Sequence, residues 1–425
     1  MTIALVTPRS RAILCSTGGA LLLLLGVAYL LVGAHRLSFG TDWSVDGVDL
    51  SQRWRETRYV LKGQNPLDVS ATWYSIRDGT PPPDIGGRDG TMDWSIGFPS
   101  NGGYPPWAYA IGAPFMWSDH WDFTRRLWTG VNLLAAAVLG LWAWAELRPH
   151  GRSVALLAAG SALAIGGGCT AVRYGQWTLP VVGAAAAAVW LSRRRIVVGR
   201  LGAGMGLAIA FAKVTLTGPL GTAFLARTRW LTLLTTAVLL TLASLAVCSR
   251  VKTPPLEMLG QMADNGATYA HKGYDAAGLL IALGVPADDA LKPAALGVVA
   301  IAAALHLWGR RRDLLWHVAV AAVAGRFWTY HKGYDNPILA FLIVALLAAA
   351  VRSKRPLAWV GYAIVGLSLW IPPLPEDADV AHAIQSVAWL FGLCVLVATP
   401  FPEREPTGAA VADEGHGDQA PQPSV

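Results

Sequence analysis

The sequence predicts an all-α, polytopic membrane protein. Of its 425 residues, 54% are hydrophobic and only 14% are charged, with a mean hydropathy of +0.42. A soluble domain carries about 25% charged residues. Apolar runs such as ALLLLLGVAYLLVG, LLAAAVLGLWAWA and ILAFLIVALLAAA recur between short polar links. A run of about 20 such residues crosses a bilayer as a helix. Arg/Lys clusters at 148–152, 193–200, 227–229, 309–312 and 352–355 each bound an apolar run. This is the positive-inside pattern, so the clusters are expected to be cytoplasmic turns.

The elements follow in chain order. The first run lies at 13–32 after Arg9 and Arg11, and no A-x-A-like site follows it. It is expected to stay as an uncleaved first span. The N-terminus is then inside, and residues 34–104 form a large outer loop. Further full spans are expected near 127–146, 153–171, 177–191, 230–248, 291–308, 314–330, 337–351, 357–371 and 382–399. Three apolar pieces fit less well. YPPWAYAIGAPFMW (104–117) and AAGLLIALG (276–284) are too short, and 201–226 lacks the length for two crossings. Re-entrant or broken helices are expected there, which membranes tolerate around a protein cavity. The count falls at about 10–12 spans, although Arg125 and Arg126 lie on the outer side of this topology. Residues 1–400 are expected to form one integral-membrane domain and 401–425 a disordered cytoplasmic tail rich in Pro, Gly, Ala and acids.

Composition also excludes classes. The net charge of +7 sits at helix ends, so no nucleic-acid partner is expected. Cys15, Cys169, Cys248 and Cys394 lie in or beside apolar runs without ligand spacing, and read as small buried residues. There is no CxxC, HExxH, Walker or dinucleotide fingerprint. No cofactor and no metal is expected. Asp84, Asp89 and Asp93 are flanked by Gly and Pro and read as turn residues.

Polar chemistry collects on the outer side. From Asp49 an amphipathic helix is expected, with Leu50, Trp54, Thr57 and Leu61 on one face and Arg53, Arg55, Glu56 and Lys62 elsewhere. Gly63 closes it and Pro66 follows. Asp49 and Gln52 have the spacing of a capping box. Yet Asp42, Asp46 and Asp49 cluster just past the first span, where a lipid-borne substrate presents its head group. HKGYD occurs twice, at 271–275 and 331–335, each copy before an apolar segment. An interfacial anchor and a substrate site are both open readings for it.

The stretches DLSQRWRETRYVLKGQNPLDV, YPPWAYAIGAP, RYGQWTLPVV and GLAIAFAK follow one another over roughly 40–220, with an echo at YHKGYDNPIL. In that order they resemble glycosyltransferase family 87, membrane enzymes of the GT-C superfamily that use polyprenol-phosphate mannose. The resemblance implies a GT-C-like membrane fold and a catalytic aspartate at Asp49, with Asp42 and Asp46 as fallbacks. It implies a polyprenyl-phosphate sugar donor, a lipid or glycan acceptor and membrane lipids as partners. The site would face outward from the cytoplasmic membrane, where no nucleotide sugar is available.

Such transfer needs a carboxylate base and cations for the leaving phosphate. Arg173, Lys213, Arg326, His331 and Lys332 are the candidate cations, with Tyr334 and Asp335 holding the sugar or orienting the histidine. Lys213, an ionisable residue within an apolar segment, reads first as a functional residue, with a snorkelling lysine near a helix end as the alternative. Gln176 either binds sugar hydroxyls or caps a helix start. Tyr104, with Pro105 and Pro106, either meets substrate or only shapes a helix start. The competing class is a polytopic transporter or polyprenyl-glycan flippase without transferase activity. A transporter would show related halves and charges at mid-membrane, and this chain shows neither.

Overall fold

The computed structural model describes residues 7–42, 45–79, 96–99, 103–194, 196–267, 275–329, 331–372, 374 and 379–400. Helices dominate these residues. The expected tail at 401–425, the turn aspartates 84, 89 and 93, and residues 271–274 of the first HKGYD copy lie outside them.

The first helix, α1 (Pro8–Phe39), is long enough to cross a membrane with a turn to spare. It packs along α6 (Arg152–Leu163) and α7 (Gly167–Tyr174). Gly19, Gly26 and Gly33 recur every seven residues on this face. A Cβ at each would lie 2.7 Å from Leu157 N, 2.6 Å from Leu163 C and 2.6 Å from Cys169 O, respectively. Without a hydrophobic drive between helices in lipid, small residues that admit backbone contact are what hold such a pair.

After α1 the chain forms three shorter helices, α2 (Val48–Leu61), α3 (Pro66–Asp78) and α4 (Pro106–Met116). Next come α5 (Trp121–Leu147), the α6–α7 pair, α8 (Thr178–Ser192) and α9 (Val197–Ala210). A 3-10 turn at Phe211–Lys213, then α10 (Val214–Thr217) and α11 (Leu220–Ala226), lead to α12 (Trp230–Val251). Helices α13 (Pro255–Ala267), α14 (Ala276–Ala282), α15 (Ala287–Trp308) and α16 (Leu314–Phe327) follow. A 3-10 turn at Gly333–Leu339 enters α17 (Ala340–Ser353), and α18 (Pro356–Trp370) and α19 (Asp379–Ala398) complete the described chain.

Seven described segments are long and apolar enough to span a membrane, and α6 with α7 makes an eighth if the pair, bent by 50°, is one span. Helices α8, α16 and α18 are apolar but shorter. The segment near 201–226, expected to be re-entrant or broken, is a broken helix. Residues Val197–Thr217 suffice for one span, with the helix broken at Lys213, and α11 follows. The core lies at α16 and α17, whose apolar side chains are buried on every face. A helix that is hydrophobic all round belongs inside. Among the cysteines, Cys394 is exposed, against expectation, because its face of α19 looks outward.

The two ends of the bundle differ in chemistry. At one end Arg193, after α8, pairs with Glu146 of α5 and with Asp313 before α16. Arg352 of α17 adds to this network at 3.4 Å from Asp313. At the opposite ends of α5, α8 and α17 lie Arg125, Gln176 and Asp335. The basic turns and the polar site described next are therefore separated by the length of the bundle.

Candidate active site

A tight corner places α2 against the end of α7. The Gly47 N–H donates to the Arg173 carbonyl at 2.8 Å, and Arg173 Nε donates to Asp46 Oδ1 at 2.7 Å. Gly175 has φ +70°, and a Cβ there would lie 2.4 Å from Leu50 Cβ. Only glycine meets both demands. Trp128 Nε1 donates to the Gly175 carbonyl at 2.9 Å and pins the turn from α5. The result is that Gln176 faces the first turn of α2.

Asp49 sits in that turn. It does not cap the helix: Gly47 occupies the cap position in left-handed conformation, and no side chain caps it. The capping box expected with Gln52 is absent because the chain enters α2 two residues earlier. Asp49 Oδ2 instead accepts from Gln176 Nε2 at 2.6 Å. Gln176 Oε1 accepts from Lys213 Nζ at 3.2 Å, which sets which way the amide points. Lys213 Nζ also donates to Thr178 Oγ1 at 3.1 Å and to Asp335 Oδ1 at 2.5 Å. Thr178 Oγ1 donates to the same Asp335 oxygen at 2.6 Å. Asp335 Oδ2 meets His331 Nδ1 at 2.9 Å, and His331 Nε2 lies 3.1 Å from the Thr215 carbonyl. One polar chain thus runs Asp49–Gln176–Lys213–Asp335–His331. It joins α2, the start of α8, the break after α9 and the turn before α17.

This arrangement recasts several expected cations. Lys213 has three acceptors among the described residues, Gln176, Thr178 and Asp335. His331 is buried between a carboxylate and a carbonyl. Arg173 is held by Asp46. Arg326 donates to Asn336 at 3.1 Å and lies over the Trp389 ring, and like His331 its charge reaches Asp275 and Asp335. Lys332 is half-buried, and its charge acts on Asp49. Tyr334 lies under Lys213 Nζ at 5.0 Å. Asp42 is exposed, and its backbone carbonyl accepts from Asp46 N–H at 2.7 Å. Of the first HKGYD copy only Asp275 is described. It is buried, caps α14 through Gly278 N–H at 2.9 Å, and feels the charges of His331 and Arg326.

Burial pushes the Asp49 carboxyl above the ordinary carboxylate range. The Gln176 hydrogen bond and the charges of Arg53, Lys213 and Lys332 pull it partly back. A carboxylate so raised holds a proton more readily, which suits a general base. Among the described residues none donates a hydrogen bond to Asp49 Oδ1.

Two neighbours on α2 depart from the amphipathic pattern. Arg53 and Glu56, expected off the apolar face, are 7% and 0% exposed. Asp49, Arg53 and Glu56 are spaced i, i+4, i+7 and share a helix face, a signal the sequence already carried. Arg53 Nη2 lies 2.7 Å from Glu56 Oε1, and its guanidinium lies 4.6 Å from the Tyr104 ring centroid. Tyr104 in turn lies 6.1 Å from the Trp177 ring. Trp177 also lines an apolar cavity of about 530 Å³ between α4, α5, α8, α9 and α12. Thr178 and Thr215 were likewise not singled out by the sequence, where nothing distinguishes them from other helix-start threonines. Among the described residues no group of three or more His, Cys, Asp or Glu is placed to hold a metal ion.

Residues 103–270 match the model of glycosyltransferase family 87, and the all-helical bundle with its membrane-length helices is in keeping with a membrane glycosyltransferase. The matched segment takes in Tyr104, Arg173, Gln176 and Lys213, while Asp49, His331 and Asp335 come to them from outside it through the fold. No curated protein and no solved structure matches the chain.

Proposed function

We propose that the protein transfers a sugar, mannose on the family resemblance, from a polyprenyl phosphate to a hydroxyl of a lipid-linked or envelope glycan, at the outer face of the cytoplasmic membrane. The observation that carries this is the buried chain from Asp49 to His331, which ends in one carboxylate oxygen with no described donor. It lies at the bundle end opposite the basic turns, and basic turns face the cytoplasm. The apolar cavity beside Trp177 supports a lipid-borne substrate.

In the proposed step the acceptor oxygen attacks the anomeric carbon from the face opposite the phosphate. Its proton passes to Asp49 Oδ1 as the new C–O bond forms. The C1–O bond to phosphate breaks, and its electron pair leaves with the phosphate oxygen. The anomeric configuration inverts. Gln176, held by Lys213, keeps the carboxylate aimed during this transfer. Purified protein in detergent, given labelled polyprenyl phosphomannose, is expected to move label to an acceptor glycolipid. Transfer from a nucleotide sugar alone would refute the donor assignment.

A further inference from the structure

Lys213 and His331 are held by protein acceptors, Arg173 gives its Nε to Asp46, and Lys332 is half-buried within reach of Asp49. Arg53 adds a further cation on the Asp49 face of α2. Its side chain is 9% exposed, yet only Nη2 has protein partners, Glu56 Oε1 at 2.7 Å and Gln52 Oε1 at 3.5 Å. Nε and Nη1 donate to no described residue. The contact with Glu56 is itself poorly aligned, since Oε1 receives no hydrogen bond of good geometry despite the short distance. A guanidinium this enclosed with donors left over is a ready partner for an anion. The Tyr104 face fixes the plane of the group, and Tyr104 leads through Trp177 to the apolar cavity. An apolar pocket, an aromatic step and a fixed planar cation in series match a lipid chain ending in a phosphate monoester.

We propose that Arg53 binds the phosphate of the lipid carrier, with Glu56 and Tyr104 as the positioning residues that aim it. This rests on the lipid-phosphate donor proposed above. Glu56 is faced by Arg53 on its own helix and by Tyr109 from α4, whose hydroxyl donates to Oε2 at 3.4 Å; Tyr104 and Asp49 face Arg53. Burial pushes the Glu56 carboxyl up to about 7, against the pull of Arg53. Glu56 therefore releases Arg53 by taking a proton when a second anion arrives, so that, relative to Glu56→Gln, the wild type gains monoester affinity as pH falls through about 7.

The test is binding of farnesyl monophosphate to the full-length protein in detergent, with farnesol and inorganic phosphate as the other arms. The wild type is expected to bind the monoester more tightly than either. Arg53→Ala is expected to weaken monoester binding by about ten- to a hundredfold, the loss of a charge-assisted contact. Arg53→Lys falls between, since a lysine gives charge without the fork. Should Arg53→Ala fail to fold with Glu56 left alone, Arg53→Met/Glu56→Gln removes both charges together and is expected to show the same loss. Glu56→Gln alone is expected to bind at least as tightly as the wild type and to keep only the pH dependence of the monoester's own second ionisation. Unchanged affinity in the Arg53→Met/Glu56→Gln variant overturns the assignment. Farnesol binding as tightly as the monoester, or inorganic phosphate doing so, overturns it as a lipid-phosphate site. These measurements need no turnover, so they stand apart from failure of the transfer assay.

Discussion

Replacing Lys213 by Met tests the buried chain at its centre. Lys213 and Asp335 form an ion pair at 2.5 Å with side chains only 9% and 3% exposed. Removing one partner of such a pair leaves a buried charge and costs about 3–5 kcal/mol. His331 and Thr178 remain beside Asp335 to soften the loss, so the lower end of that range is expected. Lys213→Met/Asp335→Asn removes both charges and is expected to regain about 1–2 kcal/mol of it, the coupling typical of contacting residues. Turnover behaves differently. Without Lys213 nothing fixes the Gln176 amide, which is free to turn its oxygen toward Asp49. A misplaced reacting group costs about 100-fold, and the double variant does not restore the amide. Stability is read by unfolding in mixed micelles and turnover by transfer from the lipid phosphosugar. A double variant that recovers stability and full turnover together would refute a positioning role for Lys213, as would Lys213→Met with wild-type turnover.

Three further outcomes follow from the geometry. Gly175→Ala forces a left-handed alanine, at about 1–2 kcal/mol, and its Cβ against Leu50, so transfer is expected to fall while the protein remains folded; an unchanged rate would remove the corner from the account. The rate, read as kcat/KM against pH, is expected to rise with pH through the titration of Asp49, because the ionised form is the base and burial has raised its midpoint; Gln176→Leu is expected to move that midpoint further up, and a downward shift would contradict the role of the amide. In a cysteine-free background, an impermeant maleimide applied to sealed cells is expected to label cysteines placed at the exposed Asp42 and Asp119 but not at the exposed Arg194 and Arg310; the reverse pattern would invert the topology.

The fold class was legible because span length and basic turns are local signals. A broken helix was expected within 201–226, but its break at Lys213 was not located, because that is decided by what the lysine reaches, here Asp335, 122 residues away. The spacing of Gly19, Gly26 and Gly33 was visible, but its meaning depends on which helix lies opposite. Asp49, Gln176, Lys213, His331 and Asp335 were each named from local context or resemblance, yet their order as one hydrogen-bonded chain was not. Charge alone suggested an anion for His331 and Lys213, and it did not reveal that packing gives both of them Asp335 as a partner. Arg53 and Glu56 were expected off the apolar face because charged residues on a loop helix are normally solvated. Their burial follows from α4 and Tyr104 closing over that face.

The role of Asp49 is tested most directly by Asp49→Asn in the same transfer assay. Asparagine keeps the size of the side chain and its place beside Gln176 but cannot take a proton from the acceptor. The variant is expected to fold and to bind farnesyl monophosphate like the wild type, while its turnover falls by about 10²–10⁴-fold or more. Wild-type turnover in Asp49→Asn would show that the base lies elsewhere.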